Sequence, residues 1–292
     1  MPSTARASSF GRVFNEIAAE YDRHRPRYPD ALIDRACEVA GIEPGSRVLE
    51  VGCGTGQLTG SLLARGLRVT AVEPGARLIA QAHHRLPDLG SVQFVNARFE
   101  DAGLPHAHFE AAFFASALHW LDPDVSWDKT SSALVDGGTL ALVSYFGLEE
   151  ALSAEDQQAL RSVIQRIAPD VEAAWPTYRD LDATLSGAEA RRNNVSEVWA
   201  WLGDYAVARG NAASLFEDVQ VAAVPMLLEH TGKELNDLLA TMSFWAGLSP
   251  QQREAVAAEN DSLYERLARP IRSSAVAVLV TARRTARTDQ PR

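Results

Sequence analysis

The sequence predicts a doubly wound α/β fold, and three observations carry that prediction. Residues 47–56, Arg-Val-Leu-Glu-Val-Gly-Cys-Gly-Thr-Gly, read as an apolar strand that runs straight into a turn with three glycines. A helix over residues 57–65 follows, with Leu58, Leu62 and Leu63 on one face and Gly66 as its stop, and residues 67–72 then form a second apolar strand ending in Glu73. Further apolar runs at 92–95, 110–115 and 139–145 keep the alternation of strand and helix going.

Each element of that unit has a reason. Val48, Leu49 and Val51 suit a parallel strand buried on both faces. Glycines at 52, 54 and 56 strip the turn of every Cβ, so a ligand can lie against bare backbone at the amino end of a helix. Glu73 stands twenty-one residues beyond Gly52, where a nucleotide-binding unit places the carboxylate that accepts ribose hydroxyls. A dinucleotide fingerprint wants its third glycine one position after Gly56, and Gln57 stands there, which disfavours nicotinamide and flavin dinucleotides.

The stretches VLEVGCGTG and AVEPG resemble the class I S-adenosylmethionine-dependent methyltransferases. FNEIAAEYDRHRPRYP, NARFED, SALHWLDPD and ALVDGGTLALVSYF extend the resemblance over most of the chain, toward the trans-aconitate methyltransferase-like branch that acts on small molecules. The resemblance implies a Rossmann-like seven-stranded sheet with its last strand antiparallel, an N-terminal helical cover and a helical insertion between strands 5 and 6. The expected division is 1–46 for tail and cover, 47–146 for the cofactor-binding core, 147–214 for the insertion as substrate cap, 215–283 for the rest of the core, and 284–292 for a tail. It also implies S-adenosyl-L-methionine as cofactor, S-adenosyl-L-homocysteine as product and a small-molecule acceptor.

Composition narrows the function classes. A chain of 292 residues, 46% of them hydrophobic, can fill the core of one large domain or of a domain with an insertion. The net charge of −10 and the absence of any basic run longer than a pair argue against nucleic acid and anionic membranes as partners. Cys37 and Cys53 are the only cysteines, too few for a disulfide framework or a thiolate zinc site, and they fit a reducing compartment. No apolar run approaches about 18 residues and the start lacks a signal-peptide core, so a cytoplasmic location is expected.

Near the start, Phe14, Ile17, Ala18 and Tyr21 repeat at helical spacing, and two prolines then turn residues 22–29 into a loop rich in arginine and tyrosine. Charge alone reads this loop as a solvated basic turn. The resemblance reads it as the closure over the methionine end, with Arg25 pairing with the carboxylate and Tyr21 and Tyr28 offering ring faces near the sulfonium. Asp30 is expected to start a helix with Leu32, Ile33, Ala36 and Val39 inward, ended by Gly41.

By resemblance the cofactor lies on Gly52, Cys53, Gly54, Thr55, Gly56, Glu73, Pro74 and Leu78. Leu78 belongs to a helix whose neighbours His83 and His84 point about 100° apart and have no acidic cluster beside them, so no metal site is assigned. Arg98 stands where many relatives carry an acidic residue for the adenine amino group. Backbone groups of Arg98 and Phe99 are then left to read the base edge, with Phe99 or Leu78 against its face.

After the fourth strand, His119 beside Trp120 is open to a packing reading, but the resemblance places Ser116 and His119 in the cofactor site, near the transferred methyl group. His119 is the candidate general base and Tyr21 the second candidate. Asp122-Pro123 should open a helix, and Gly137-Gly138 should introduce the fifth strand. In the insertion, a Ser153-x-x-Asp156 capping pattern precedes a helix carrying Leu160, Val163, Ile164 and Ile167. The aromatics Trp175, Tyr178, Trp199, Trp201 and Tyr205 form either the insertion's own core or an acceptor wall. The pocket assigned on the second reading is Trp120, Tyr145, Trp175, Tyr178 and Trp199.

Strand pattern resumes at Asp218, Thr231-x-x-Glu234 and Ser249-Pro250 open two further helices, and the apolar run 275–281 should be buried on both faces; the resemblance implies that it pairs antiparallel beside the fifth strand. The expected activity is methyl transfer by in-line displacement. Its alternatives are a nicotinamide-dependent oxidoreductase, which Gln57 disfavours, and a protein that binds S-adenosylmethionine without catalysis.

Overall fold

The computed structural model describes residues 26–86, 89–174, 178–203 and 212–286. The expected helix over 14–21, with Tyr21, Arg25, Trp175 and Tyr205, lies outside the described residues.

From α1 (Asp30–Ala40) the chain alternates through β1 (Arg47–Val51), α2 (Gln57–Ala64), β2 (Arg68–Val72), α3 (Ala76–Arg85), β3 (Val92–Val95), β4 (Phe109–Ala115), α4 (Pro123–Ala133) and β5 (Leu134–Leu148). Next come α5 (Ala154–Ile167), a two-residue β6 (Tyr178–Arg179), α6 (Leu181–Glu189), α7 (Val195–Gly203) and α8 (Ala212–Leu215). The long strand β7 (Phe216–His230) is separated from β8 (Ile271–Arg284) by α9 (Gly232–Ala240) and α10 (Pro250–Leu267).

The sheet runs β3-β2-β1-β4-β5-β8-β7, with β6 beside the end of β5. The strands β1 to β5 pair in parallel, and β8 pairs antiparallel with both β5 and β7. This is the expected doubly wound seven-stranded sheet with an antiparallel last strand, plus one short strand. Because β2 and β3 build outward from one side of β1, and β4 and β5 from the other, the order reverses between β1 and β4. A crevice for ligand opens beyond their carboxyl ends.

One face of the sheet buries Val48, Ala111, Phe113, Ala141, Val143, Ala277 and Leu279 under Leu32, Ile33, Leu58 and Leu62 of α1 and α2. The other buries Leu49, Val51, Phe114, Leu140, Leu142 and Val280 under Trp127 of α4 and Val195, Val198, Trp199 and Leu202 of α7. Strand residues alternate between the two clusters, as the period of the pleat requires.

The structure departs from the expected pattern in informative places. The fifth strand starts at Leu134 and runs through Gly137 and Gly138, because α4 feeds straight into it. It also extends five residues past Val143, the last residue paired with β4, which raises a wall of roughly 16 Å above the crevice. Asp30 starts α1 as expected, but its carboxylate accepts no capping bond and instead pairs with Arg65 at 3.0 Å.

Ser153 does not cap α5. Its Oγ donates to Glu150 O and bonds Ser274 Oγ at 2.7 Å, while Asp156 accepts both Arg269 nitrogens at 2.7 and 2.9 Å and the Arg272 amide at 2.7 Å. A carboxylate only 2% exposed gains more from a paired guanidinium than from a local cap. The capping boxes at Thr231/Glu234 and Ser249/Gln252 and the Asp122 cap do form.

A second core lies apart from the sheet. Leu160, Val163 and Ile164 of α5 pack with Leu235 and Leu239 of α9, Val256 and Leu263 of α10, and Phe244 and Leu248 between them. Because Ile271 and His230 pair beside the far end of β5, this lobe stands at the carboxyl edge of the parallel strands. It is assembled from two distant chain segments, whereas α7 of the same expected insertion joins the sheet core.

Candidate functional site

The site begins where β1 ends. Gly52, Gly54 and Gly56 have φ of 71°, 55° and 81°, in the left-handed region that glycine enters without strain. Their surroundings differ. A Cβ on Gly52 would lie 2.6 Å from the Cβ of Ala117, and one on Gly56 would lie 3.2 Å from that of Ala82, whereas one on Gly54 would meet nothing within 4 Å. Two glycines therefore let neighbouring elements close in, and the third leaves open space above the turn.

Glu73 ties the first two turns together. Its Oε2 accepts the Gly54 amide at 3.1 Å and its Oε1 accepts the Gly75 amide at 2.7 Å. Burial raises its pKa, and the two amide bonds oppose that rise. An ionised carboxylate has about four acceptor directions, so each oxygen retains one for a ribose hydroxyl. Open space at Gly54 beside a carboxylate with spare acceptor capacity fits a nucleoside. Pro74 is exposed on the same turn, while Thr55 and Cys53 are buried within theirs.

Two residues near this end gave little warning in the sequence. Glu50, in the middle of β1, is fully buried; its Oε2 accepts Thr59 Oγ1 at 2.6 Å and its Oε1 has no hydrogen-bond partner. Burial pushes its carboxyl up to about 8, against the Thr59 bond, which lowers it. The signal was a glutamate inside an otherwise apolar strand. Lys129 places Nζ 5.5 Å over the Phe99 ring and donates to Glu100 O at 2.8 Å, an arrangement that no sequence spacing announces.

At the expected adenine end, Leu78 is buried and Phe99 packs edge-on against Phe114 at 5.9 Å. Arg98 is exposed and pairs with Glu100 at 3.4 Å.

The opposite end is built from β4, β5 and the entering chain. Ser116 has φ 51°, a strained value for a side-chain-bearing residue, and its Oγ lies 3.0 Å from the Tyr28 hydroxyl. Tyr28 stacks on Tyr145 with centroids 4.8 Å apart and planes 10° apart, and Tyr145 donates to Pro26 O at 3.2 Å. His119 sits in the 3-10 turn Leu118–Trp120, its ring tilted against Trp120 at 4.8 Å. Its Nδ1 is sealed from water, and burial lowers its pKa to about 4. The imidazole is therefore neutral near pH 7 and a weak proton acceptor.

The aromatics assigned to the pocket separate. Tyr145 lies at this end with Tyr28, and Trp120, against the His119 ring, is exposed. Trp199 is only 2% exposed and fills the sheet core beneath α7, because a nine-residue helix with Val195, Val198 and Leu202 turns that whole face inward. Tyr178 packs against the helical lobe's core, and burial pushes its hydroxyl up to about 12. Both serve packing here, and the sequence had left that reading open. Among the described residues, no group of three or more His, Cys, Asp or Glu side chains is placed to hold a metal.

Residues 49–142, which run from within β1 into β5 and include the turns after β1, β2, β3 and β4, match the family described as methyltransferase domain. Over 130 residues the chain is 35% identical to an uncharacterized methyltransferase of Mycobacterium tuberculosis, covering 44% of this chain and 51% of the relative. Residues 49–142 are thus similar to methyltransferase domains.

A 30% identity over 128 residues links the chain to the ubiquinone/menaquinone biosynthesis C-methyltransferase of Ectopseudomonas mendocina, over 40% of this chain and 50% of that one. The chain thus spans about half the length of the curated relatives it matches. In fold it is similar to a protein described as a proposed type II methyltransferase from Anaeromyxobacter dehalogenans, with a TM-score of 0.58 and 21% identity over 90% of this chain and 99% of that one.

Proposed function

We propose that the protein transfers a methyl group from S-adenosylmethionine to a small-molecule acceptor. The observation that carries this reading is the open space at Gly54 beside a Glu73 carboxylate with spare acceptor directions, at the reversal point of a methyltransferase domain. The cofactor supplies a methyl already activated by positive sulfur, so the protein's task is placement and exclusion of water.

In this reading Glu73 accepts the ribose hydroxyls, and the backbone of residues 52–56 lies against the nucleoside. Ser116, Tyr28 and Tyr145 wall the methionine and methyl end, with Tyr21 and Arg25 assigned to the same end. The long overhang of β5 and the helical lobe bound the acceptor space. His119, neutral and a weak base, orients rather than deprotonates. The acceptor atom therefore arrives carrying its lone pair or negative charge. Carboxylates of the trans-aconitate kind meet that requirement, and so do activated carbon acceptors.

Calorimetry with S-adenosylmethionine, S-adenosylhomocysteine and a nicotinamide dinucleotide tests the reading. Micromolar binding of the sulfur nucleosides with none of the dinucleotide is expected, followed by transfer of labelled methyl into a metabolite fraction. A protein that binds the dinucleotide instead, or neither, overturns it.

A further inference from the structure

Each backbone polar group in the turn that carries Glu73 has an identifiable partner. The Glu73 amide donates to Val95 O at 3.0 Å, the Gly75 amide donates to the Glu73 carboxylate at 2.7 Å, and Gly75 O accepts the Ile79 amide at 3.1 Å as α3 begins. Pro74 has no amide hydrogen, so the turn can be anchored through that residue only at its carbonyl. Both remaining carbonyls, Glu73 O and Pro74 O, accept from the single nitrogen Nδ2 of Asn96, at 2.9 and 3.1 Å.

Asn96 follows β3 directly, so it pins the turn after β2 to the turn after β3. Glu73 in turn holds the turn after β1 through the Gly54 amide. The three turns form one hydrogen-bonded chain along the carboxyl edge, Gly54 to Glu73 to Asn96. Asn96 is itself exposed, so its replacement opens no cavity in the core.

We propose that Asn96 is a positioning residue for nucleoside binding, clamping the turn so that the Glu73 carboxylate is held where ribose hydroxyls reach it. This rests on the reading of Glu73 as the ribose acceptor. A primary amide suits the role because its nitrogen carries two hydrogens for two carbonyls. An aspartate of the same shape carries none and would set a negative charge against both carbonyl oxygens.

The test is a double-mutant cycle read by calorimetry with S-adenosylhomocysteine, with thermal unfolding measured on every variant. Asn96→Ala is expected to weaken binding about tenfold, the scale for two modest hydrogen bonds acting through one partner, and Asn96→Asp to weaken it further. In a Glu73→Ala background, Asn96→Ala should change the dissociation constant less than about twofold, because the group it positions is gone. An unchanged affinity in Asn96→Ala, or a tenfold loss that persists in the Glu73→Ala background, overturns the proposal. Binding by wild type with no coupling defeats only the role of Asn96, whereas a wild type that binds no sulfur nucleoside removes the ribose reading beneath it.

Discussion

The turns at the ends of β1, β2 and β3 and the lobe of α5, α9 and α10 are held by opposite means. The turns depend on backbone: left-handed glycines, amides on a carboxylate, carbonyls on an amide. The lobe depends on side chains, with Leu160, Leu235, Val256 and Phe244 in a separate apolar core and the Asp156–Arg269 pair stapling its two chain segments. The first arrangement leaves donors, acceptors and open space facing the crevice. The second uses up its polar groups internally. Substitutions that disturb ligand and stability separately therefore test the contrast.

The largest expected effect comes from Glu50 beneath the turns. Its carboxyl sits near 8 in the folded chain against an ordinary 4.5, so the folded state keeps its proton after the unfolded chain has lost one. Stability then falls as pH climbs from 4.5 to about 8, and the deficit is complete above that. Glu50→Gln keeps an acceptor for Thr59 and cannot ionise. It should match wild type below pH 4.5 and exceed it by on the order of 3–5 kcal/mol above pH 8. Urea unfolding across that range decides the matter; curves that stay parallel would show Glu50 to be ionised at no cost.

Gly52→Ala comes next. Its new methyl would lie 2.6 Å from Ala117 at a φ of 71°, so a loss of about 2–4 kcal/mol of stability is expected, with nucleoside binding lost as well. Wild-type unfolding in this variant would mean that the β4 loop moves aside freely.

On the lobe side, Asp156→Ala removes three charge-assisted bonds and leaves the Arg269 guanidinium with its bond to Pro270 O but without its carboxylate. Because Arg269 keeps 33% of its side chain in solvent, the cost should be about 2–3 kcal/mol, below that of a fully buried pair. Nucleoside affinity should stay within about twofold. A matching loss of affinity would make lobe and turns one cooperative unit and end the contrast.

The smallest stability effect should be at Gly54, where alanine meets no neighbour and pays only for φ 55°, about 1 kcal/mol. Its methyl would stand in the space assigned to the nucleoside, so affinity for S-adenosylhomocysteine should fall by at least about tenfold. Unchanged affinity would move the ligand away from the turn.

Much of the central sheet could be read in advance, because parallel strands buried on both faces announce themselves as apolar runs and glycine spacing limits what the turn can hold. Residues 92–95 matched β3 in full, and the crevice followed from the position of the first strand. The aromatics of 147–214 could not be sorted the same way. Trp199 and Tyr178 look alike as pocket candidates in the sequence, yet one fills the sheet core and the other packs, partly buried, against the lobe, since burial is set by partners distant in the chain. The short helix of Trp199 and the apolar residues beside it were the available hint.

By itself the sequence determined the order of the first five strands and the helices among them, the backbone freedom of the turn and the carboxylate that follows it, since these depend on residues within a few positions of one another. The tertiary structure alone decided that Asp156 would meet Arg269 rather than cap its own helix, and that Asn96 would hold the Glu73 turn. It also decided that Glu50 would be sealed with one oxygen unbonded and that the half-buried His119 would have its pKa lowered by desolvation. Each of those outcomes depends on desolvation and on which groups from distant segments arrive at the same point, and neither quantity is written in local spacing.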